Sequence, residues 1–175
     1  MNRVMEALRK RRSVREYDGT AVQKDVLDLV LEAGLTAPSG RNLKPVQFLV
    51  VEDKDTLRYL SQCRKAGSQL LEDAGAAILV TGDENMSDTW VEDASIAMAY
   101  MHLAADSLGL GSCWVQIRNR ENAEGEDAGR ILQEHFDIPA HVHPVAILAL
   151  GNITAHPEGR SMTEKDGERV HREKY

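Results

Sequence analysis

Trp90-Val91-Glu92-Asp93-Ala94-Ser95-Ile96-Ala97-Met98-Ala99-Tyr100-Met101-His102-Leu103-Ala104-Ala105-Asp106-Ser107-Leu108, with Gly109-Leu110-Gly111-Ser112-Cys113-Trp114-Val115-Gln116 after it, is the stretch on which the fold turns. Apolar residues cover more than one side of the first run, whereas a surface helix carries a single apolar stripe. The expectation is a helix buried on most sides, at the core or at a subunit interface, with its alanines permitting close approach of neighbours. Glu92, Asp93, His102 and Asp106 make it too polar to span a membrane. Gly109 is placed to end it, because glycine takes the left-handed conformation past a helix C-terminus without steric cost. Ser112 to Ile117 then reads as a strand.

Working outward, Met1 to Lys10 reads as a short helix with Val4, Met5 and Leu8 on one side. Val22, Val26, Leu27, Val30 and Leu31 mark a second helix that ends at Gly34. Pro38-Ser39-Gly40-Arg41-Asn42 is a loop by composition. Gln47 to Val51 is expected as a buried strand, Lys54 to Arg64 as a helix capped by Asp53, and Ala76 to Val80 as a second buried strand. A helix near Glu126 to His135 and a last strand from Val142 to Leu150 follow. The segment from Asn152 to Tyr175 is charged and lacks apolar periodicity, so it cannot build its own core. With no repeat and no linker, residues 1–175 are read as one domain. Helices interleave irregularly with about four strands, which places the chain in the α+β or mixed α/β class.

The net charge of −7 and pI near 5.4 argue against a nucleic-acid or acidic-membrane surface, both of which need a broad basic field. Cys63 and Cys113 have no CxxC spacing and are too few for a disulfide framework, so a reducing compartment, the cytoplasm, is expected. No signal peptide is legible at the N-terminus.

Against that acidic background the run Arg11-Arg12-Ser13-Val14-Arg15 stands out. Guanidinium forks match phosphate oxygens and serine adds a short donor, so the run reads either as a phosphate site or as cations completing the dipole of the first helix. Gly109-Leu110-Gly111 precedes a strand, not a helix, and is therefore no dinucleotide fingerprint. His102, His135, His141, His143 and His156 show no zinc spacing; no metal is expected, and the histidines are read as surface or capping groups. Cys113 lies in an apolar strand without a neighbouring base, which points to packing. With no persuasive acid, base or nucleophile, an enzyme of this sequence would rely on a bound cofactor.

Three pieces taken together, Arg11-Arg12-Ser13-Val14-Arg15, Pro38-Ser39-Gly40-Arg41-Asn42-Leu43-Lys44-Pro45, and Gly109-Leu110-Gly111-Ser112-Cys113-Trp114 after an Ala-rich helix, resemble the FMN-dependent nitroreductase family in its short form. The resemblance runs from about Val4 to Gly151. It implies an α+β fold with a mixed or antiparallel sheet of four to five strands flanked by helices, in an intertwined homodimer whose flavin sites lie between subunits. It assigns Arg11, Arg12 and Ser13 to the FMN phosphate and ribityl chain, and Arg15 to the pyrimidine edge of the flavin. Pro38, Ser39 and Asn42 would reach the flavin from the partner subunit. Trp114, Val115 and Gln116 would lie beside the ring, and Arg160 would add a cation at the phosphate. Residues 152–175 would pack on the partner. The implied activity passes hydride from NADH or NADPH through flavin to a small electron-poor acceptor such as a nitroaromatic or quinone, by a ping-pong cycle. A specialised dehalogenase or dehydrogenase of the same family and a non-catalytic FMN carrier or sensor are the alternatives. The family loop usually continues Gln-Pro-Trp, where this chain has Lys44-Pro45-Val46, and Glu158 stands where a second C-terminal cation is expected.

Overall fold

Two apolar runs form the middle of the sheet: β2 (Ala76–Asp83) pairs antiparallel with β4 (Val142–Gly151). Both are covered on their two faces, which is why their sequences run apolar without alternation. β1 (Val46–Val51) flanks β2, and β3 (Gly111–Gln116) flanks β4, giving the order β1-β2-β4-β3 with every pairing antiparallel. The computed structural model describes residues 2–175; the start of the expected first helix at Met1 lies outside them.

Six helices accompany the four strands among the described residues: α1 (Arg3–Lys10), α2 (Lys24–Leu35), α3 (Lys54–Ser61), α4 (Trp90–Ser107), α5 (Ala128–His135) and α6 (Glu164–Gly167). The class is α+β. One core joins Leu27 and Val30 of α2 and Ala94, Met98, Met101 and Ala105 of α4 to Ile78, Val80, Leu148 and Leu150. The other joins Leu57 and Leu60 of α3 and Leu132 of α5 to Leu79, Ile147 and Val115. Alternation along each strand feeds the two cores in turn.

Several expectations need correction. β1 is an edge strand with Gln47 and Val50 exposed, because only β2 pairs with it. α3 stops at Ser61, whose hydroxyl bonds back to the Arg58 carbonyl (2.7 Å) and competes with continuation. α5 starts at Ala128, where the Asp127 side chain accepts from the Arg130 N–H. Helix α4 ends as expected at Gly109, with φ +83°. It is not buried on most sides within one chain: Asp93, Ala94, Ala97, Met98, Met101, His102, Ala105 and Asp106 are covered, whereas Ile96, Ala99, Tyr100 and Leu108 are exposed. The apolar stripe of α1 (Val4, Met5, Leu8) is exposed as well.

The segment after β4 first lies along its own chain. Ile153 sits against Gly111, His156 contacts Asp106 (2.6 Å), and the Arg160 N–H donates to the Arg9 carbonyl (2.8 Å). The N-terminal arm is tied down similarly. Tyr17 donates its hydroxyl to the Val14 carbonyl (2.9 Å), and a Cβ on Gly151 would stand 2.6 Å from the Tyr17 ring. Tyr17→Phe is expected to cost about 1 kcal/mol in a denaturant melt. No measurable loss would mean that packing alone holds the arm.

Candidate functional site

The arm carrying the arginines lies on the outer edge of β3. The Val14 N–H donates to the Ser112 carbonyl (2.9 Å), and Ser13 pairs with Ser112 in a parallel bridge. A side chain at Gly111 would collide with Ile153 and Val14, so a glycine is what lets the arm approach so closely. Opposite Ser112, Leu150 turns its carbonyl the other way, to the Gly75 N–H (2.9 Å), which confirms that Ser112 faces outward. Backbone groups alternate along an antiparallel edge, so Trp114 and Gln116 also present theirs outward, while Cys113 and Val115 bond to β4. Val115 therefore has little to give a ligand: its backbone is in the ladder and its side chain is fully buried in the α3/α5 core. Trp114 packs instead on the α4 face; its indole N–H donates to Gln116 Oε1 (2.8 Å), and Gln116 donates to the Arg118 carbonyl (2.9 Å).

Arg11 donates from Nη1 to Nε2 of His102 on α4 (2.7 Å). A guanidinium stays protonated and can only donate, so Nε2 carries the lone pair and the ring proton sits on Nδ1. Nδ1–H then donates to Ser112 Oγ, a tautomer assigned from this network. Burial, reinforced by the Arg11 charge and opposed by Asp106, pushes the His102 pKa down from 6.5 to about 4. The ring is thus neutral at physiological pH. Arg12, Arg15 and the Ser13 hydroxyl make no side-chain hydrogen bond or ion pair among the described residues.

Pro38-Ser39-Gly40-Arg41-Asn42 lies at the other edge of the sheet, leading into β1 across roughly 14 Å of strand spacings. Asp93, 3% exposed, anchors it by accepting from the Gly40 N–H (2.8 Å) and the Thr89 hydroxyl (3.3 Å). Ser39 Oγ accepts from the Lys44 N–H (2.9 Å). Arg41, Asn42 and Lys44 all have left-handed φ (51°, 56° and 54°), strain that such an anchor sustains. Pro38 and Asn42 are exposed. One chain therefore does not bring this loop to the arginine run. Nor is Arg160 a free cation, since Asp166 holds its guanidinium (2.7 Å) together with that of Arg169 (2.6 Å).

His102, Ser112 and Asp93 escaped the sequence reading. The expectation that the histidines are surface or capping groups fails at His102, which is 9% exposed in the middle of α4. A signal was present: His102 and Asp106 are polar residues four apart in the Ala- and Met-rich second half of α4, and so share one face. Burial pushes both thiols up, Cys63 to about 11, leaving neither as a ready nucleophile. Among the described residues no cluster of three His, Cys, Asp or Glu could hold a metal, and no helix is long and apolar enough to cross a membrane.

Comparison with known proteins agrees with this fold. The sequence pattern of the nitroreductase family matches residues 8–66 and 61–152. A relative from Methanothermobacter thermautotrophicus, provisionally named NADH dehydrogenase/NAD(P)H nitroreductase, is 34% identical over 98% of this chain and 87% of its own length. One of the same name from Archaeoglobus fulgidus is 31% identical over 100% of both. Among solved structures, an FMN-dependent nitroreductase from Clostridium difficile R20291 superposes with a TM-score of 0.93 at 38% identity, covering 98% of this chain and 99% of that one. On sequence and on fold alike, the chain belongs to the nitroreductase family.

Proposed function

We propose that this protein is an FMN-dependent oxidoreductase that uses NADH or NADPH to reduce a small electron-poor acceptor, such as a nitroaromatic or a quinone. The observation that carries the proposal is the state of the arginine run. In a chain of net charge −7, Arg11 has a neutral imidazole as its partner, and Arg12, Arg15 and Ser13 have no internal side-chain partner among the described residues. Such a donor set without carboxylates fits a phosphate dianion. The relatives' names, which include an FMN reductase of Bacillus subtilis 28% identical over 92% of this chain, support the same reading.

Arg11, Arg12 and Ser13 bind the FMN phosphate and ribityl chain, and Arg15 stabilises negative charge on the reduced ring. Trp114 and Gln116 offer outward backbone groups at the β3 edge. Held there, FMN would supply the reversible hydride chemistry that links nicotinamide oxidation to acceptor reduction in a ping-pong cycle. His102 is turned inward and both thiols are raised, so the chain's own part is binding, orientation and charge. A second copy of the chain completes the site by bringing Pro38, Ser39 and Asn42 to it. The exposed Ile96 and Tyr100 of α4 support that homodimer, with the C-terminal residues extending onto the partner. The buried free cysteines fit a cytoplasmic setting.

The test is the visible spectrum of protein incubated with FMN and desalted, recorded again after anaerobic addition of NADH or NADPH. A retained flavin spectrum that bleaches is the expected result. Retention without bleaching would indicate a carrier or sensor, and no retained flavin would overturn the proposal.

A further inference from the structure

We propose that His102 is a positioning residue: it fixes the Arg11 guanidinium for the FMN phosphate through an uncharged acceptor, so that Arg11 keeps its full positive charge for the anion. This rests on the FMN reading above and deepens it.

A flexible arginine needs a partner to hold it in one geometry, and the usual partner is a carboxylate, which orients the guanidinium and cancels its charge. Here the partner is His102 Nε2 at 2.7 Å. The ring is buried, and its Nδ1–H is committed to Ser112 Oγ, itself 1% exposed, so the acceptor lone pair can point only toward Arg11. Ser112 also receives the Val14 N–H on its carbonyl and pairs with Ser13. One residue of β3 therefore registers both parts of the motif, the backbone at Ser13 directly and the guanidinium of Arg11 through His102. Asp106, the carboxylate one turn along α4, could have taken Arg11 for itself. Its Oδ1 is instead bound to His156 Nε2 at 2.6 Å, with the His156 Nδ1 beside the Pro157 carbonyl (2.7 Å). Asp106 thus pairs with the C-terminal segment and forms no ion pair with Arg11.

The experiment titrates flavin-stripped protein with FMN near neutral pH, following flavin fluorescence, for the wild type, R11A, H102L, H102Q, H102E and R11A/H102L. H102L is expected to bind about 10- to 100-fold more weakly, the loss typical of a charge-assisted hydrogen bond. H102Q, a neutral acceptor, should stay within about threefold of the wild type. H102E keeps an acceptor but adds a negative charge, and should bind at least as weakly as H102L. R11A/H102L should bind no more weakly than R11A alone, because His102 acts through Arg11.

Losses that multiply in the double variant would overturn the proposal, as would H102E binding like the wild type, or folded H102Q binding as weakly as H102L. Nitrogen NMR of the flavin-free wild type should show His102 as the neutral Nδ1–H tautomer; an Nε2–H or charged ring near neutral pH overturns the inference whatever FMN does. Wild-type protein that takes up no FMN defeats both readings, whereas equal affinity of R11A and the wild type defeats this one alone.

Discussion

Replacing Arg11 and Ser13 together by alanine is expected to weaken FMN binding by about 100-fold or more, since each side chain would contribute a hydrogen bond to a charged phosphate, individually worth about 1.5–3 kcal/mol. Arg11 dominates, because its guanidinium is oriented by His102 and opposed by no carboxylate. The substitution also strips His102 Nε2 of its donor, which leaves a buried acceptor unsatisfied at a cost of roughly 1–3 kcal/mol. A thermal melt of the flavin-free variant separates that loss of stability from the loss of affinity. An unchanged dissociation constant in a variant that melts cooperatively would remove these two residues from the phosphate site.

The second large effect is on acid stability. His102 titrates at about 4 in the folded chain against an ordinary histidine value of 6.5. Between those values the unfolded chain takes up a proton that the folded chain refuses, so stability falls as the pH falls. The loss begins near pH 6.5, deepens at up to about 1.4 kcal/mol per unit, and levels off below pH 4 at a total of about 3 kcal/mol. His102→Gln has no such proton to accept. Urea unfolding of both proteins from pH 7 to pH 4 should give a wild-type curve that steepens relative to the variant by that amount. Parallel curves would mean that His102 is solvated and charges freely, contrary to its burial between Arg11 and Ser112.

Much of this protein is legible in its residues one after another. Ala76 to Val80 in β2 is apolar without a break, so a buried strand was the natural reading, and it held. Gly109 ends α4 because a left-handed φ there is cheap only for glycine. Burial was harder to read. Gln47 to Val51 has the composition of a core strand yet lies at the sheet edge, since strand order is a property of the whole sheet and no local pattern encodes it. Helix α4 has the composition of an all-round buried helix yet leaves Tyr100 45% exposed in one chain, because composition cannot say whether a face is covered by the same chain or by another.

The sequence by itself narrowed the class to α+β or mixed α/β, and determined the residue ranges of the main elements to within a few positions and the three motifs by which the chain resembles its family. Periodicity, turn chemistry and a cationic run in an acidic chain are all local signals. Tertiary structure alone decided that Arg11 is held by a histidine ninety-one residues away and by no carboxylate. It also decided that Val115 is spent on the ladder and the core, that Arg160 is taken by Asp166, and that the Pro38–Asn42 loop and the arginine run lie at opposite edges of one sheet. These facts depend on which distant segments meet when the chain buries its apolar faces. That choice is made by the packing of the whole molecule and has no counterpart in the spacing of residues along the chain.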